Sequence, residues 1–449
     1  MSEELAYRII DILRGRNCTC YLAGGAARDE LLGRKPNDYD LATESPPEMV
    51  IHACVEEELK AKLAGASFPV VIVSDGKSMV EVATFRKDVY HGTSDKDVTI
   101  TTTSSIVEDS ARRDFTINTM YFCPRTDELV DPCGGKNDLD NKVIRAPGVP
   151  EDRLREDPCR ILRACRFLCL IGGVFDDATY SALKRNVHLV GSHVHPDRIR
   201  KEVLKVMGYQ SPSIFWRALN DIGGLEYVSP GLHMCYNFDG GKYHIEDVFT
   251  HCMIVGDHLP SDKPLLRLAG YLHDIGKPNK LNSEGGFYGH DKEGEKIVRS
   301  ELKHLHFSTR DVNYISTLIK HHMRTIGDKS TPRAIRRMLK AFGEEGIDYR
   351  EWLKLRIADR IGNLIKPNYS VDYIKGILSK IREEMNPTRS SAFSTTDLAI
   401  DGNDVMRILD IQPGKLVGVI LRSLLDVVID NPELNTKETL TKLIIDSRR

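Results

Sequence analysis

Hydrophobic and polar positions alternate over the first third of the chain and then settle into a helical period. Ala6–Leu13 carries apolar residues at helical spacing, and Cys20–Ala23 is an apolar run of strand length. Asp38–Ala42 reads as a second strand and Pro47–Lys62 as a helix. Val70–Ser74 and Met79–Phe85 alternate on either side of Asp75-Gly76-Lys77, which predicts a hairpin. Lys87–Thr103 is rich in Asp and Thr, shows no period and predicts a flexible loop. From Glu151 onward nearly every segment reads as helix, punctuated by Pro and Gly turns near positions 196, 212, 230, 260, 278 and 332. The pattern predicts an α+β chain: an α/β head at 1–145, a helical neck at 146–230, a helical domain at 231–365 and a helical tail at 366–449.

Length agrees with several domains, because 449 residues exceed the roughly 250–300 at which single cores stop growing. Sixty-three basic residues face 65 acidic ones, a net charge of −2, so any contact with nucleic acid must come from a local patch. No secretory segment follows Met1-Ser2-Glu3-Glu4 and no apolar run nears membrane-spanning length, so a cytoplasmic protein without membrane contact is expected. Of the ten cysteines, Cys18 and Cys20 stand too close for a zinc pair, and Cys159, Cys165 and Cys169 follow a helical pattern. Reduced, mostly buried thiols are the expectation.

Three segments carry chemistry. Gly24-Gly25-Ala26-Ala27-Arg28-Asp29 lets the backbone approach an anion closely and opens a helix whose free N–H groups face it. Asn37-Asp38-Tyr39-Asp40 follows, with two carboxylates two residues apart on the expected strand and hence on one side. Hard oxygen ligands beside a phosphate cradle suit Mg²⁺-dependent nucleotidyl transfer. Each motif alone is an ordinary turn or strand end; together and in order they say more. In Arg112-Arg113-Asp114-Phe115-Thr116-Ile117-Asn118, the adjacent guanidinium groups match a triphosphate, and Asp114 suits a ribose hydroxyl. In Arg155-Glu156-Asp157-Pro158-Cys159-Arg160, Pro158 starts a helix with Asp157 near its cap, and Arg160, Arg163 and Arg166 recur along one face. An Asp and an Arg held on a rigid helix can hydrogen-bond a base edge.

These segments, with Glu81-Val82-Ala83-Thr84-Phe85-Arg86, Asp131-Pro132-Cys133-Gly134-Gly135 and Arg198-Ile199-Arg200-Lys201-Glu202, resemble the class II tRNA nucleotidyltransferases and bacterial poly(A) polymerases over residues 20–205. The resemblance implies a polymerase β-like head in which Asp38 and Asp40 bind the catalytic Mg²⁺ ions and Gly25, Arg28 and Arg113 hold the triphosphate. It further implies that Glu156 to Arg160 form a protein template selecting CTP and then ATP, with Arg163 and Arg166 as further nucleotide contacts. CCA addition to the tRNA 3′ end is the implied reaction. A poly(A) polymerase, a partial enzyme adding only A or only CC, and an RNA-binding module with an inactive head are the alternatives. The basic signature and tail of the poly(A) subgroup are absent, and the intact Asp38/Asp40 pair argues against an inactive head. Ala27 departs from the larger apolar residue usual there, and Glu81 is a third carboxylate left outside the assigned set.

A second constellation lies in the helical half: His251, His273-Asp274, His290, His321-His322 and Asp359. Imidazoles and carboxylates from separate helices suit one or two divalent ions. The segment resembles the HD superfamily, which implies His251, His273, Asp274 and Asp359 as ligands of Mg, Mn or Ni, with His290 and His321 assisting. Phosphatase or phosphodiesterase chemistry follows from that resemblance; a degenerate HD fold kept as a platform for tRNA is the alternative. Arg333, Arg336, Arg337 and Lys340 form a basic cluster open to two readings, a contact for tRNA phosphates or a solvated face. Expected partners are the tRNA 3′ end and acceptor stem, CTP and ATP, with monomer and homodimer both open.

Overall fold

The computed structural model describes residues 2–64, 69–91, 98–241, 245–281, 286–327, 329–386 and 392–447. The chain forms two compact units, Met1–Ser229 and Pro230–Arg449. Unit 1 opens with α1 (Ser2–Arg14), β1 (Cys20–Ala23), α2 (Gly25–Leu31), β2 (Asp40–Thr43) and α3 (Pro47–Glu56). There follow β3 (Lys60–Leu63), β4 (Val70–Ser74), β5 (Met79–Thr84), β6 (Arg86–Tyr90), β7 (Val98–Thr102) and α4 (Ile106–Ala111). The head closes with β8 (Tyr121–Cys123), β9 (Glu128–Val130) and α5 (Gly135–Asp140). Seven strands form one mixed sheet in the order β3-β4-β5-β2-β1-β8-β9. Helix α1 buries Leu5, Ile9, Ile10 and Leu13, a helical stripe, against the core that Leu22, Leu41, Val71 and Val82 supply from the strands.

Three expectations are corrected here. The helix expected over Pro47–Lys62 stops at Glu56, where Glu58 takes a left-handed φ of 61°, and Lys60–Leu63 pairs with β4 instead. Its alternating lysines suit an exposed edge strand. Asp38 lies in the bend before β2, which begins at Asp40, so the two carboxylates do not share one strand. The stretch Lys87–Thr103 is no loop throughout: β6 and β7 pair antiparallel from Arg86↔Thr102 to Tyr90↔Val98, around residues 92–97 that lie outside the described ones. Its β-branched Val98, Ile100 and the threonines between them favour a strand despite the polar composition.

Unit 1 continues with β10 (Val143–Ile144), α6 (Pro150–Glu156), α7 (Cys159–Ile171), β11 (Val174–Phe175), α8 (Asp177–Asn186), α9 (Leu189–His193), α10 (Pro196–Met207), α11 (Ser213–Asp221) and α12 (Leu225–Val228). The two short strands pair in parallel and interrupt the helices. Helix α7 sits centrally, packing on α10 and α11 through its buried Ile161, Leu162, Ala164 and Cys165.

Unit 2 is helical: α13 (Pro230–His233), α14 (Val248–Asp257), α15 (Pro264–Leu272), α16 (His290–His304), α17 (Thr309–His321) and α18 (Pro332–Glu344). After them come α19 (Tyr349–Gly362), α20 (Val371–Glu384), α21 (Gly402–Leu409), α22 (Lys415–Asp430) and α23 (Lys437–Asp446). Helices α14, α15, α17 and α19 pack on one another, and a separate apolar cluster joins α21, α22 and α23. Gly362 lets α19 approach α14 closely, since a Cβ there would lie 2.5 Å from Val255. All ten cysteines are free thiols, and only Cys18 and Cys133 are not buried. Among the described residues, no helix is long and apolar enough to cross a membrane.

Candidate functional site

Unit 1 holds an open cleft of about 820 Å³ between head strands and neck helices. Its lining brings together Gly25, Arg28, Asp38, Asp40, Arg113, Asp114, Asp157, Arg160, Arg163 and Arg166. Gly24 turns the chain into α2 with a left-handed φ of 61°, and a Cβ there would come within 3.2 Å of Arg113 Nη1. Buried Arg28 is fixed from two sides: its Nη1 donates to Asn118 Oδ1 at 2.7 Å and its Nε to Asp29 Oδ1 at 2.9 Å. The sheet register places Asp40 beside Glu81 on β5. Desolvation in the cleft, followed by the charges of Glu81 and Asp38, raises the Asp40 carboxyl above its ordinary range, with Arg113 opposing. Carboxylates that disfavour one another's ionisation are a donor set that a hard cation relieves, so these residues fit divalent metal.

Sequence reasoning missed the group that organises the arginines. Asp109 on α4 is buried and accepts from Arg112 Nη2 at 2.7 Å, Arg113 Nη2 at 2.9 Å and the Tyr121 hydroxyl at 2.5 Å. It also takes the backbone N–H of Arg86 at 3.0 Å, tying the β6–β7 hairpin to the same carboxylate. Burial would raise Asp109, but Arg113 and Arg112 outweigh it and bring the carboxyl down to about 2. The Arg113 guanidinium lies over the Tyr121 ring at 4.9 Å, so one of its edges is held by Asp109 while Nη1 is directed at the Gly24 turn. The acid–arginine spacing of three and four residues was the available signal.

Arg163 and Arg166 are paired with acids distant in sequence, and Arg160 with the nearby Glu156. Arg163 binds Asp114 and Arg166 binds Glu202. Arg160 donates to Glu156 Oε2 at 3.2 Å and to the carbonyls of Arg153 and Arg112 at 3.0 and 2.8 Å. Asp157 sits in extended backbone between α6 and α7, and Arg198 grips both its oxygens at 2.8 Å. Burial would raise Asp114, yet Arg163 and hydrogen bonds from Asn118 and the Phe115 N–H hold it well below the usual carboxylate range. Asp157 and Arg160 thus line the cleft already oriented by their neighbours.

In unit 2, α14, α15, α16, α17 and α19 converge on a buried histidine–aspartate cluster. His251 Nε2 and His273 Nε2 are 3.2 Å apart, and Asp274 Oδ2 lies 3.5 and 3.3 Å from them. Asp359 Oδ1 is 3.2 Å from His251 Nε2. His290 Nε2 approaches Asp274 Oδ1 at 3.2 Å and His322 Nε2 at 3.2 Å. Burial pulls His251 down, but Asp359 and Glu246 carry it up to about 9; the Asp274 charge likewise lifts His273 against its burial. The assisting role expected of His321 is corrected. Its ring turns to Glu345 Oε2 at 2.9 Å, and its neighbour His322 enters the cluster, because adjacent helical residues point about 100° apart. Burial lowers both.

The basic cluster on α18 is neutralised within unit 2. Arg333 and Arg337 share Asp430, Arg336 is buried against Glu384 at 2.6 Å, and Lys340 bonds Asp426 at 2.6 Å. This arrangement fits a packed, solvated face better than a patch presented to phosphates.

Two family models match the chain: a Poly A polymerase head domain over residues 20–145 and an HD domain over residues 242–363. The chain is 28% identical over 418 residues to the A-adding tRNA nucleotidyltransferase of Deinococcus radiodurans, covering 90% of each. It is 35% identical over 228 residues to poly(A) polymerase I of Escherichia coli, a match that spans 47% of that protein's length and 46% of this chain. The crystal structure of the Bacillus stearothermophilus CCA-adding enzyme in complex with CTP shares the fold, with a TM-score of 0.69 at 23% identity over 99% of this chain and 97% of that one.

Proposed function

We propose that this chain, which belongs to the class II tRNA nucleotidyltransferase and poly(A) polymerase family with an HD domain, adds CMP, CMP and AMP to tRNA 3′ ends from CTP and ATP, without a nucleic-acid template. One observation carries the reading: a single cleft gathers the carboxylates Asp38 and Asp40, Arg28 and Arg113 beside the Gly24-Gly25 turn, and Asp157 with Arg160 at the start of α7. In it, residues 1–145 form the catalytic head, 146–230 the neck with the template helix, 231–365 the HD domain and 366–449 a tRNA-binding tail.

Arg28 and Arg113 hold the triphosphate over the Gly24-Gly25 turn, with Asp114 placed for the ribose. Their guanidinium groups are held rigid by Asp29, Asn118 and Asp109, so little orientation is lost on binding. Mg²⁺ held by Asp38 and Asp40 would polarise the α-phosphate and neutralise the leaving pyrophosphate oxygens. The terminal tRNA hydroxyl attacks the α-phosphorus, the bond to the β-phosphate oxygen breaks and pyrophosphate leaves. Arg113 meets the charge growing on that leaving group. Asp157 and Arg160 present a fixed donor and acceptor pattern to the base edge, with Arg163 and Arg166 beside them. A purine or pyrimidine of the wrong pattern would strand their buried polar groups.

In unit 2 the same reading assigns His251, His273, Asp274 and Asp359 to a divalent ion, with phosphate-ester hydrolysis as the chemistry such an ion supplies. The Deinococcus relative, matched over 90% of its length, favours a second reading in which this chain adds only A. Incubating the protein with tRNA lacking its 3′ end, CTP and ATP, and sequencing the termini, separates the readings. CCA termini are expected. A added only to tRNA ending in CC supports the second reading, and oligo(A) tails would replace both.

A further inference from the structure

The hairpin of β6 and β7 meets the head cleft by one face of one strand. Side chains alternate along β6, and Arg86, Asp88 and Tyr90 line the cleft while Lys87 and Val89 do not. Two contacts fix that register. The Arg86 N–H donates to Asp109 at 3.0 Å, and Asp88 lies 2.9 Å from Arg86 Nε and 3.6 Å from Arg112 Nη1. The carboxylate that aims Arg113 therefore also holds the strand that carries Tyr90.

Among the described residues, the aromatic side chains lining the cleft are Tyr90, Phe167 and Tyr209, and the last two are engaged by arginines. Phe167 lies under the guanidinium groups of Arg28, Arg163 and Arg166 at 5.5, 5.4 and 4.2 Å, and Arg28 marks it as standing toward the triphosphate cradle. The Tyr209 hydroxyl accepts from Arg166 Nη1 at 3.1 Å. Tyr90 keeps different company. Burial raises its hydroxyl above the usual range, Arg160 opposes that rise, and Asp88, Asp157 and Glu156 add to it. The half-buried ring thus stands among the groups read as meeting the base edge. Hydrogen bonds to an edge lie in the plane of the base and leave both of its faces bare. A flat side chain against one face keeps the base in that plane while its edge is read.

We propose that Tyr90 is the base-stacking residue of this cleft, its ring packing on the face of the incoming nucleobase while Asp157 and Arg160 take the edge. This rests on the reading of that pair as the base-edge partners. Every nucleobase has a π face, so the ring adds affinity for all four nucleotides without choosing among them, and the choice stays with the edge. Because Asp109 anchors both the strand and Arg113, the face contact and the triphosphate contact are built on one buried carboxylate.

The test is the kinetics of the full chain with CTP on tRNA lacking its 3′ end and with ATP on tRNA ending in CC. Ribose 5-triphosphate, which has no base, serves as the competing inhibitor. Tyr90→Ala and Tyr90→Leu should raise KM for both nucleotides on the order of tenfold, with kcat changed less, as loss of one base–aromatic stack does. Tyr90→Phe should keep the wild-type KM. The inhibition constant of ribose 5-triphosphate should be the same in all three variants, which also shows that the cleft is folded. Preference for CTP and ATP over UTP and GTP should be unchanged in Tyr90→Ala, in contrast to Arg160→Ala. Val89→Ala, on the other face of β6, should match wild type throughout. Wild-type KM in Tyr90→Ala and Tyr90→Leu would overturn the proposal. So would a Tyr90→Phe variant as weak as Tyr90→Ala, which assigns the contact to the hydroxyl, or inhibition by ribose 5-triphosphate weakened as far as CTP, which assigns it to the phosphates. If Arg160→Ala leaves selectivity unchanged while Tyr90→Ala and Tyr90→Leu lose base-dependent affinity, the edge reading falls and the face contact stands.

Discussion

The head cleft and the HD cluster are both built from acids and bases, yet they solve opposite problems. In the head cleft the cations are paired with carboxylates: Arg112 and Arg113 share Asp109, Arg163 has Asp114 and Arg166 has Glu202. The cleft is open, and Asp40 in it is raised by desolvation and by Glu81 and Asp38. The HD cluster is buried, His273, His290 and His322 are oriented by backbone carbonyls, and the ring nitrogens converge. A site that must admit CTP, ATP and a tRNA end keeps its charges internally satisfied and its volume free. A site that must hold an ion spends its donors inward.

The largest expected effect breaks the head alone. Asp40→Ala should lower nucleotide addition by ~10³-fold or more, because catalysis of this kind is electrostatic. The melting temperature should hold or rise, since the ionised carboxylate is unfavourably placed among its neighbours. Incorporation of labelled CTP and a thermal melt check both halves, and near-normal incorporation would remove this residue from the mechanism.

The converse substitution tests whether the two centres are separable. His273→Ala combined with Asp274→Ala should abolish metal-dependent hydrolysis of a phosphate ester such as p-nitrophenyl phosphate. Nucleotide addition should stay within about twofold, because the centres lie in different compact units. A parallel loss of both activities would break the comparison drawn above.

Asp109→Asn probes how strongly the head depends on its internal pairing. Losing a carboxylate that orients two guanidinium groups should raise KM for all four nucleotides ~30-fold, about 2 kcal/mol, with a smaller effect on kcat. The group also sets a pH dependence. Its folded value of about 2 lies below an unfolded value of ~3.9, so its stabilisation is complete above pH ~4 and is lost as pH falls through about 2. Acid melts of wild type should therefore lose ~2 kcal/mol more over that range than melts of the Asn variant. Coincident acid profiles would contradict the assignment.

Which parts were legible in the sequence follows from the same contrast. The Gly24-Gly25 turn, Asp38, Asp40 and the HD ligand types are local signals, and the cleft and cluster contain them. The acids that pair Arg163 and Arg166 come from other elements, Asp114 being 49 residues from Arg163 and Glu202 36 from Arg166, so the helix read alone did not show what holds them. The same blindness made Arg333 and Arg337 resemble a phosphate patch, because Asp430 lies 97 and 93 residues away. Lys87–Thr103 failed for a different reason: its strand signal sits in β-branched threonines that also mark loops. Choosing between His321 and His322 needed the rotation of α17 about its axis, which the packing of Val312, Ile315 and Ile319 sets and adjacent histidines do not reveal.

The central claim is that protein groups, and not a nucleic-acid template, choose the nucleotide. The most direct measurement is kcat/KM for CTP, ATP, UTP and GTP with Arg160→Ala and with Arg113→Ala, using tRNA lacking its 3′ end and tRNA ending in CC. Arg160→Ala should narrow the preference for CTP and ATP over UTP and GTP by on the order of tenfold, since the base edge loses a fixed partner. Arg113→Ala should weaken all four nucleotides alike, because each carries the same triphosphate. Unchanged selectivity in Arg160→Ala, or altered selectivity in Arg113→Ala, would contradict the account.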